Sequence, residues 1–443
     1  MTGLRNSKKI LFLVLAAAFV IRLGFVLLLD PGGFYFSDTR HYDRAARGLL
    51  SGEGFGLKYY RSPFYPILMA GVYSLFGPSF LAMRILEVFL GTLLCLVIHE
   101  LARRLFSETV ALVTVAVMAV HPHFIVLTGI LYSTNLFALL LALALFFLTR
   151  TKNYPTTGDV INASLFSGLA ALTIPAMFFI VPFWLIWLLL RPAGSSLPYA
   201  LFASARLLCL KSRWWSGAGR RLLCASLFLV IFAAVLTPWT VRNYYRYGRI
   251  IFVRPLPNRA LPDLERPPSQ RQDIDEKFKD ITRYLVQNPN GTHEDHITET
   301  FKHYLRHPWG AFRYALSEMA HFWALFPDRL DSMKDAYREK MVSRDSRMVM
   351  FGDSFWDLIR IMSILVMAPI FALALFGLAR TRRFNSGMVL ILLTLFSISL
   401  GYSLIYAEVR YRIPIEPYVL MFTSTGALEL IRSARRWLKA KKG

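Results

Sequence analysis

Apolar runs of roughly 20 residues, the length that crosses a bilayer core, recur along the chain near 10–29, 80–101, 109–128, 130–149, 160–175, 176–190, 222–240, 356–379, 386–406 and 413–431. The stretch from 160 to 190 is too long for one span and contains Pro175 and Pro182, so it divides into two short helices with a tight turn near Thr173 to Pro175. The pattern thus predicts about ten spans. Tyr42 to Leu50 is a short amphipathic stretch, and Pro63 to Phe76 is apolar but too short to span, as expected of pieces that lie on a membrane surface or dip into it. Asp273 to Val286 and Glu294 to Phe326 carry apolar residues at three- and four-residue intervals, which predicts a small helical lid. Asn288-Pro289-Asn290-Gly291 and His307-Pro308 mark helix ends within it.

Composition supports lipid as the solvent. Of 443 residues 55% are hydrophobic and 14% aromatic, more than one water-soluble core hides. The net charge of +23 would suggest nucleic acid in a soluble protein, but here the cations sit in short stretches between apolar runs. They are Arg5, Lys8 and Lys9; Arg103 and Arg104; Arg150 and Lys152; Arg191 to Arg221; Arg380 to Arg383; and Arg432 to Lys442. The positive-inside rule then places both termini in the cytoplasm and puts 30–79, 241–355 and 407–412 on the outer side. Arg206 to Arg221, with Trp214 and Trp215, reads as a lipid-facing basic patch and not a nucleic-acid site. The first apolar run lacks a small-residue cleavage site and is expected to stay as a helix. Cys95, Cys209 and Cys224 show no CxxC spacing, so neither a disulfide nor a cysteine zinc site is expected. Asn290-Gly291-Thr292 fits a glycosylation acceptor but reads better as a turn. No internal repeat is visible, and Arg22 is one deep charge without an obvious mate, so a lipid or anion transporter is the weaker alternative.

Chemistry concentrates just after the first span, in Tyr35 to Asp43. A carboxylate at a membrane edge can act as a base or hold a metal, and Asp38 is placed to do so. On the residues alone, the plainer reading is an Asp capping the helix that begins near Thr39.

A longer pattern alters that balance. Asp38, Tyr42, Ala45, Leu49 and Gly52, then Arg61, Pro63, Tyr65 and Pro66 ahead of Tyr73 and Phe76-Gly77, resemble the first outer loop of GT-C glycosyltransferases. The branch most resembled contains protein O-mannosyltransferase-like and lipid A aminoarabinose transferase-like enzymes. The likeness continues through Arg84, Leu101 to Phe106, His121-Pro122, Leu131 to Phe137, Gly168 to Thr173, Pro238-Trp239 and Arg242-Asn243-Tyr244. It closes with His307-Pro308, Phe322-Trp323, Glu408, Arg410-Tyr411, Pro414 and Pro417.

The resemblance implies an all-α bundle of about 10–13 transmembrane helices. It also implies a bacterial inner-membrane enzyme that moves a sugar, with inversion, from a polyprenyl phosphate to a lipid, glycan or protein acceptor on the periplasmic face. Asp38 is then the catalytic candidate. Arg61, Arg242, Arg410 and Arg412 are candidates for the donor phosphate, since guanidinium suits planar contacts to oxygen. Tyr42, Asp43, Asn135, Glu408 and Tyr411 are supporting candidates. The chain departs from the pattern at Asn135, where many members carry an acid, and at Thr39, where some carry a second one. A divalent metal thus stays open, with His41, His121, His123 and Glu87 as candidate ligands, although histidines flanking Pro122 in a turn usually bind nothing. The expected division is 1–240 with the catalytic loop, 241–355 as the helical lid, and 356–443 as the closing helices and basic tail. A polymerase or ligase that moves a whole lipid-linked oligosaccharide is the rival enzyme.

Overall fold

The computed structural model describes residues 2–56, 61–151, 154–190, 218–248, 250–253, 302, 304–326 and 353–441. The Asp273 to Val286 and Asn288 to Thr292 expectations, the start of Glu294 to Phe326, and Arg191 to Ser216 with its tryptophans lie outside them. Among the described residues the elements are helices: α1 (Thr2–Leu27), α2 (Ser37–Leu50), α3 (Phe64–Phe76), α4 (Phe80–Leu105), α5 (Glu108–Val120), α6 (Pro122–Val126), α7 (Thr134–Thr149) and α8 (Thr157–Thr173). Then follow α9 (Met177–Leu190), α10 (Ala218–Tyr247), α11 (Pro308–Phe322), α12 (Asp353–Arg380), α13 (Ser386–Ser403), α14 (Val409–Arg412), a 3-10 turn at Ile413–Ile415, and α15 (Glu416–Ala440).

Among the described residues five helices are long and apolar enough to cross a membrane: Asn6–Leu27, Phe80–Leu105, Ala218–Tyr247, Arg360–Arg380 and Ser386–Ser403. Shorter apolar helices fill the bundle between them, Glu108–Val120, Thr134–Thr149 and Met177–Leu190 included. The chain is an all-α, multi-pass membrane protein. Every apolar run has a helix, and the 160–190 stretch divides at Ile174, as the prolines require.

One boundary differs from the pattern. The run 109–128 breaks at His121, whose backbone is extended (φ −69, ψ 125), because the residue before a proline is disfavoured in the helical region. The break has a second cost. The helical partner of the Met118 carbonyl would be the N–H of residue 122, which proline lacks. Arg22, fully buried in α1, takes that place: its guanidinium donates to Met118 O at 3.0 Å, to Ala119 O at 3.4 Å and to Ala18 O at 3.0 Å. The deep charge has partners after all, and they are backbone carbonyls. Arg84 plays the same part for the start of the first loop, donating to Gly129 O (2.8 Å), Asp30 O (2.6 Å) and Gly33 O (2.5 Å).

The closing helices α12 and α15 pack backbone to backbone through Gly377 and Gly426. A Cβ on Gly426 would lie 2.1 Å from Leu373 O, and one on Gly377 would lie 2.0 Å from Phe422 O. Neither neighbour is a side chain that can turn aside. Gly426→Ala is expected to destabilise the bundle by about 1–3 kcal/mol through overpacking. Thermal unfolding in detergent checks this against Gly24→Ala, whose new methyl meets nothing within 4 Å.

Candidate active site

The chain leaves α1 through Asp30 to Phe36 and enters α2 after an extended Phe36. Asp38 lies in the first turn, where the helix dipole favours a negative charge, but its side chain caps nothing, contrary to the plainer sequence reading. Its carboxylate is ion-paired instead with Arg61, which precedes α3. Two bonds fix α2 on the turn after α6: Thr39 Oγ1 donates to Ile130 O and Leu131 O, both at 3.2 Å. Leu131 holds a φ of 53°, a left-handed conformation that a non-glycine residue adopts only when its surroundings enforce it.

Tyr42 is one helical turn after Asp38. Its hydroxyl is 3.3 Å from Ser133 Oγ, and its ring packs on Tyr65 (4.9 Å between centroids) and Tyr132 (6.5 Å). Asp43 points elsewhere. It accepts from Tyr73 Oη and from Arg47 Nε, each at 2.9 Å, so it joins α2 to α3 rather than doubling the acid at 38.

The other wall comes from the turn ahead of α15. Glu408 pairs with Arg410, whose guanidinium lies over the rings of Tyr411 (5.2 Å) and Tyr132 (6.0 Å) and donates to Tyr411 Oη at 3.3 Å. Tyr411 is stacked flat on Tyr402, 4.5 Å away. Burial works against the Arg410 charge, but Tyr132, Tyr411, Glu408 and Asp38 together hold its pKa well above the ordinary value. Asp38 and Arg410 thus belong to one electrostatic cluster.

The four arginine candidates separate by exposure. Arg61 and Arg410 are 26% and 39% exposed; Arg61 pairs with Asp38, and Arg410 pairs with Glu408 within electrostatic reach of Asp38. Arg412 is 0% exposed and faces inward: it donates to Glu416 Oε1 (3.0 Å), Phe322 O (2.9 Å) and Ala324 O (2.8 Å), gathering the carbonyls at the end of α11. Its Nε and Nη1 are taken by the protein, while the buried Nη2 has no hydrogen-bond partner among the described residues. Arg242 lies over Trp239 (4.6 Å) and donates to Asn243 Oδ1 (3.0 Å), while Trp239 packs on Phe55 of the first loop. It borders the loop without joining the Asp38 cluster.

Asn135 donates to Glu87 Oε2 at 2.7 Å and to Glu87 O at 3.0 Å, behind the Tyr42 and Tyr65 rings. The candidate metal ligands therefore split. Glu87 is used by Asn135, His41 stands beside Asp38 and Arg61, and only His121 and His123 meet, with ring centroids 5.0 Å apart. The group that joins them is Glu416, whose Oε2 is 2.8 Å from His123 Nδ1. Glu416 and Tyr132 were missed as site residues. Tyr132 could have been found from its place in Leu131 to Phe137, but Glu416 looks in sequence like the first polar residue of an apolar span.

His41 carries a pH signature. Burial first, then Arg61, lowers its pKa from 6.5 to about 4. Between those values the unfolded chain binds the proton and the folded chain does not, so this group's contribution to stability falls as pH drops through that window. His41→Gln is expected to reduce the loss of thermal stability between pH 6.5 and 4, measured by unfolding midpoints across that range.

With this geometry the chain can be set beside known proteins. A family model described as dolichyl-phosphate-mannose-protein mannosyltransferase matches residues 60–216. No curated protein sequence matches the chain. The archaeal oligosaccharyltransferase AglB from Archaeoglobus fulgidus, solved with an inhibitory peptide and a dolichol-phosphate, is similar at a TM-score of 0.56 and 13% identity, over 98% of this chain and 51% of that one. ArnT from Cupriavidus metallidurans bound to undecaprenyl phosphate is similar at 0.52 and 16%, over 94% of this chain and 59% of that one. The chain spans roughly half the length of these structures, and its fold is the GT-C fold.

Proposed function

We propose that this GT-C chain is a membrane glycosyltransferase that moves a sugar from a polyprenyl phosphate to an acceptor hydroxyl on the outer face of a bacterial inner membrane, with inversion. The observation that supports it most is the meeting of Asp38, Arg61 and Arg410, brought from two loops to one end of the bundle. Each arginine is held by a carboxylate, Arg61 by Asp38 and Arg410 by Glu408. A lipid phosphate entering between them offers both guanidinium groups anionic non-bridging oxygens in bidentate geometry, and its charge grows from one towards two as the sugar departs.

That exchange has a chemical consequence. While Arg61 is bound to Asp38, the carboxylate is a poor base; once Arg61 turns to the phosphate, Asp38 can take the acceptor's hydroxyl proton. The acceptor oxygen then bonds the anomeric carbon from the side opposite the phosphate. The bond from that carbon to the phosphate oxygen breaks, and the electron pair leaves with the polyprenyl phosphate, stabilised by Arg61 and Arg410. Tyr132 and Tyr411 form the aromatic side of this cluster, with Tyr42 and Asp43 holding α2 in place.

The test is transfer by the purified protein from short-chain polyprenyl-phosphate monosaccharides, with lipid-linked oligosaccharides run in parallel. Product from the monosaccharide donors supports this reading, and product only from the oligosaccharides replaces it with the ligase. Arg410→Met is expected to weaken donor binding at least tenfold while leaving the unfolding midpoint close to wild type, since its partners are at the partly exposed surface. Donor titration by fluorescence measures the first and calorimetry the second.

A further inference from the structure

We propose that His121, His123 and Glu416 bind a divalent transition-metal ion, zinc by donor preference, which clasps the turn between α5 and α6 to the first turn of α15. This does not rest on the transferase reading, and its ligands are separate from the Asp38, Arg61 and Arg410 cluster.

One donor atom from each of the three residues lies within 4.8 Å of the other two, so small side-chain rotations close the set on a single ion. Two imidazoles and one carboxylate suit zinc and its neighbours, whereas magnesium and calcium prefer oxygen alone. The second observation concerns His121. Its side chain is buried, and its Nε2 has no hydrogen-bond partner among the described residues, an unusual state for a buried polar atom. Its Nδ1 only receives the His123 backbone N–H at a long 3.3 Å, a contact that is given up when Nδ1 carries the hydrogen and Nε2 takes the metal.

The surroundings also fit. Arg412 bonds Glu416 through Oε1 and leaves Oε2 facing His123, so the carboxylate is oriented from behind as ligand carboxylates commonly are. In the absence of metal, the short His123–Glu416 bond occupies the same place and keeps the two together. Three protein ligands leave a tetrahedral ion one further position, and the half-open side of His123, 17% exposed, supplies the route to it. Because Glu416 follows Arg412 by one helical turn, an ion here steadies the Glu408 to Arg412 turn from its inner side.

The experiment uses the full chain in detergent, freed of any polyhistidine tag and stripped with chelator. Zinc chloride and magnesium chloride are titrated separately, with bound metal counted by elemental analysis and unfolding followed by calorimetry. The expected result is one zinc per chain, a higher unfolding midpoint with zinc and no change with magnesium. His121→Gln and His123→Gln, which keep the Arg412–Glu416 bond, should each weaken zinc binding at least tenfold. Cobalt(II) added to the wild type should give the intense visible bands of a four-coordinate site, a readout that needs no variant to fold. No zinc bound by the stripped protein, full retention in both histidine variants, or a weak six-coordinate cobalt spectrum would each overturn the proposal.

Discussion

Asp38→Asn is expected to lower sugar transfer by about 10²–10⁴-fold, the range general base catalysis supplies, while the chain still binds donor. The substitution keeps size and shape, so the first turn of α2, held by the Thr39 bonds to Ile130 and Leu131, stays in place. What disappears is the carboxylate that pairs with Arg61. Arg61 is then released to a phosphate without competition, so donor affinity should hold or rise as turnover collapses. That opposite movement of binding and rate separates a base from a residue that merely builds the pocket. Single-turnover transfer and donor titration on the same preparation read both, and unchanged transfer in the variant would remove Asp38 from the mechanism.

Arg412→Met should have the largest effect on stability. Removing one partner of a buried ion pair typically costs about 3–5 kcal/mol, because the remaining charge is stranded. Here Glu416 keeps its bond to His123 but loses its permanently charged partner, and the Phe322 and Ala324 carbonyls lose their donor as well. A sharp fall in the unfolding midpoint or in folded yield is expected, beside the near-normal midpoint of Arg410→Met. Adding Glu416→Gln to Arg412→Met should recover part of the loss, since a neutral amide is less costly to bury than a carboxylate deprived of its guanidinium. Equal midpoints for Arg410→Met and Arg412→Met would contradict the division drawn between the two arginines.

Two residues apart in one short turn, Arg410 and Arg412 show where sequence reasoning stops. The apolar helices were legible because burial in lipid imposes an apolarity that any window reveals, although five of the roughly ten expected spans are long enough to cross among the described residues, and Pro175 located the turn between α8 and α9. Asp38 with Arg61 was within reach too, since one loop carries both. Which arginine joins the Asp38 cluster depends on α11, whose end collects Arg412 from 90 residues away. Glu416 and His123, 293 residues apart, are neighbours only in the fold. Pattern and spacing report what a segment does locally, whereas contacts closed by the whole bundle leave no periodic trace.

The bond between Arg22 and the end of α5 bears on how the protein is made. A guanidinium in mid-helix costs about 2.5–3.5 kcal/mol to insert, and the carbonyls that offset this are 96 and 97 residues further along the chain. The first helix is therefore synthesised and threaded before its partners exist. Until α5 arrives, water, lipid headgroups or the insertion machinery must solvate that charge. The proline that breaks α5 and the arginine that answers it make α1 and α5 a pair, since the Arg22 charge gains its Met118 and Ala119 partners only when α5 packs beside α1.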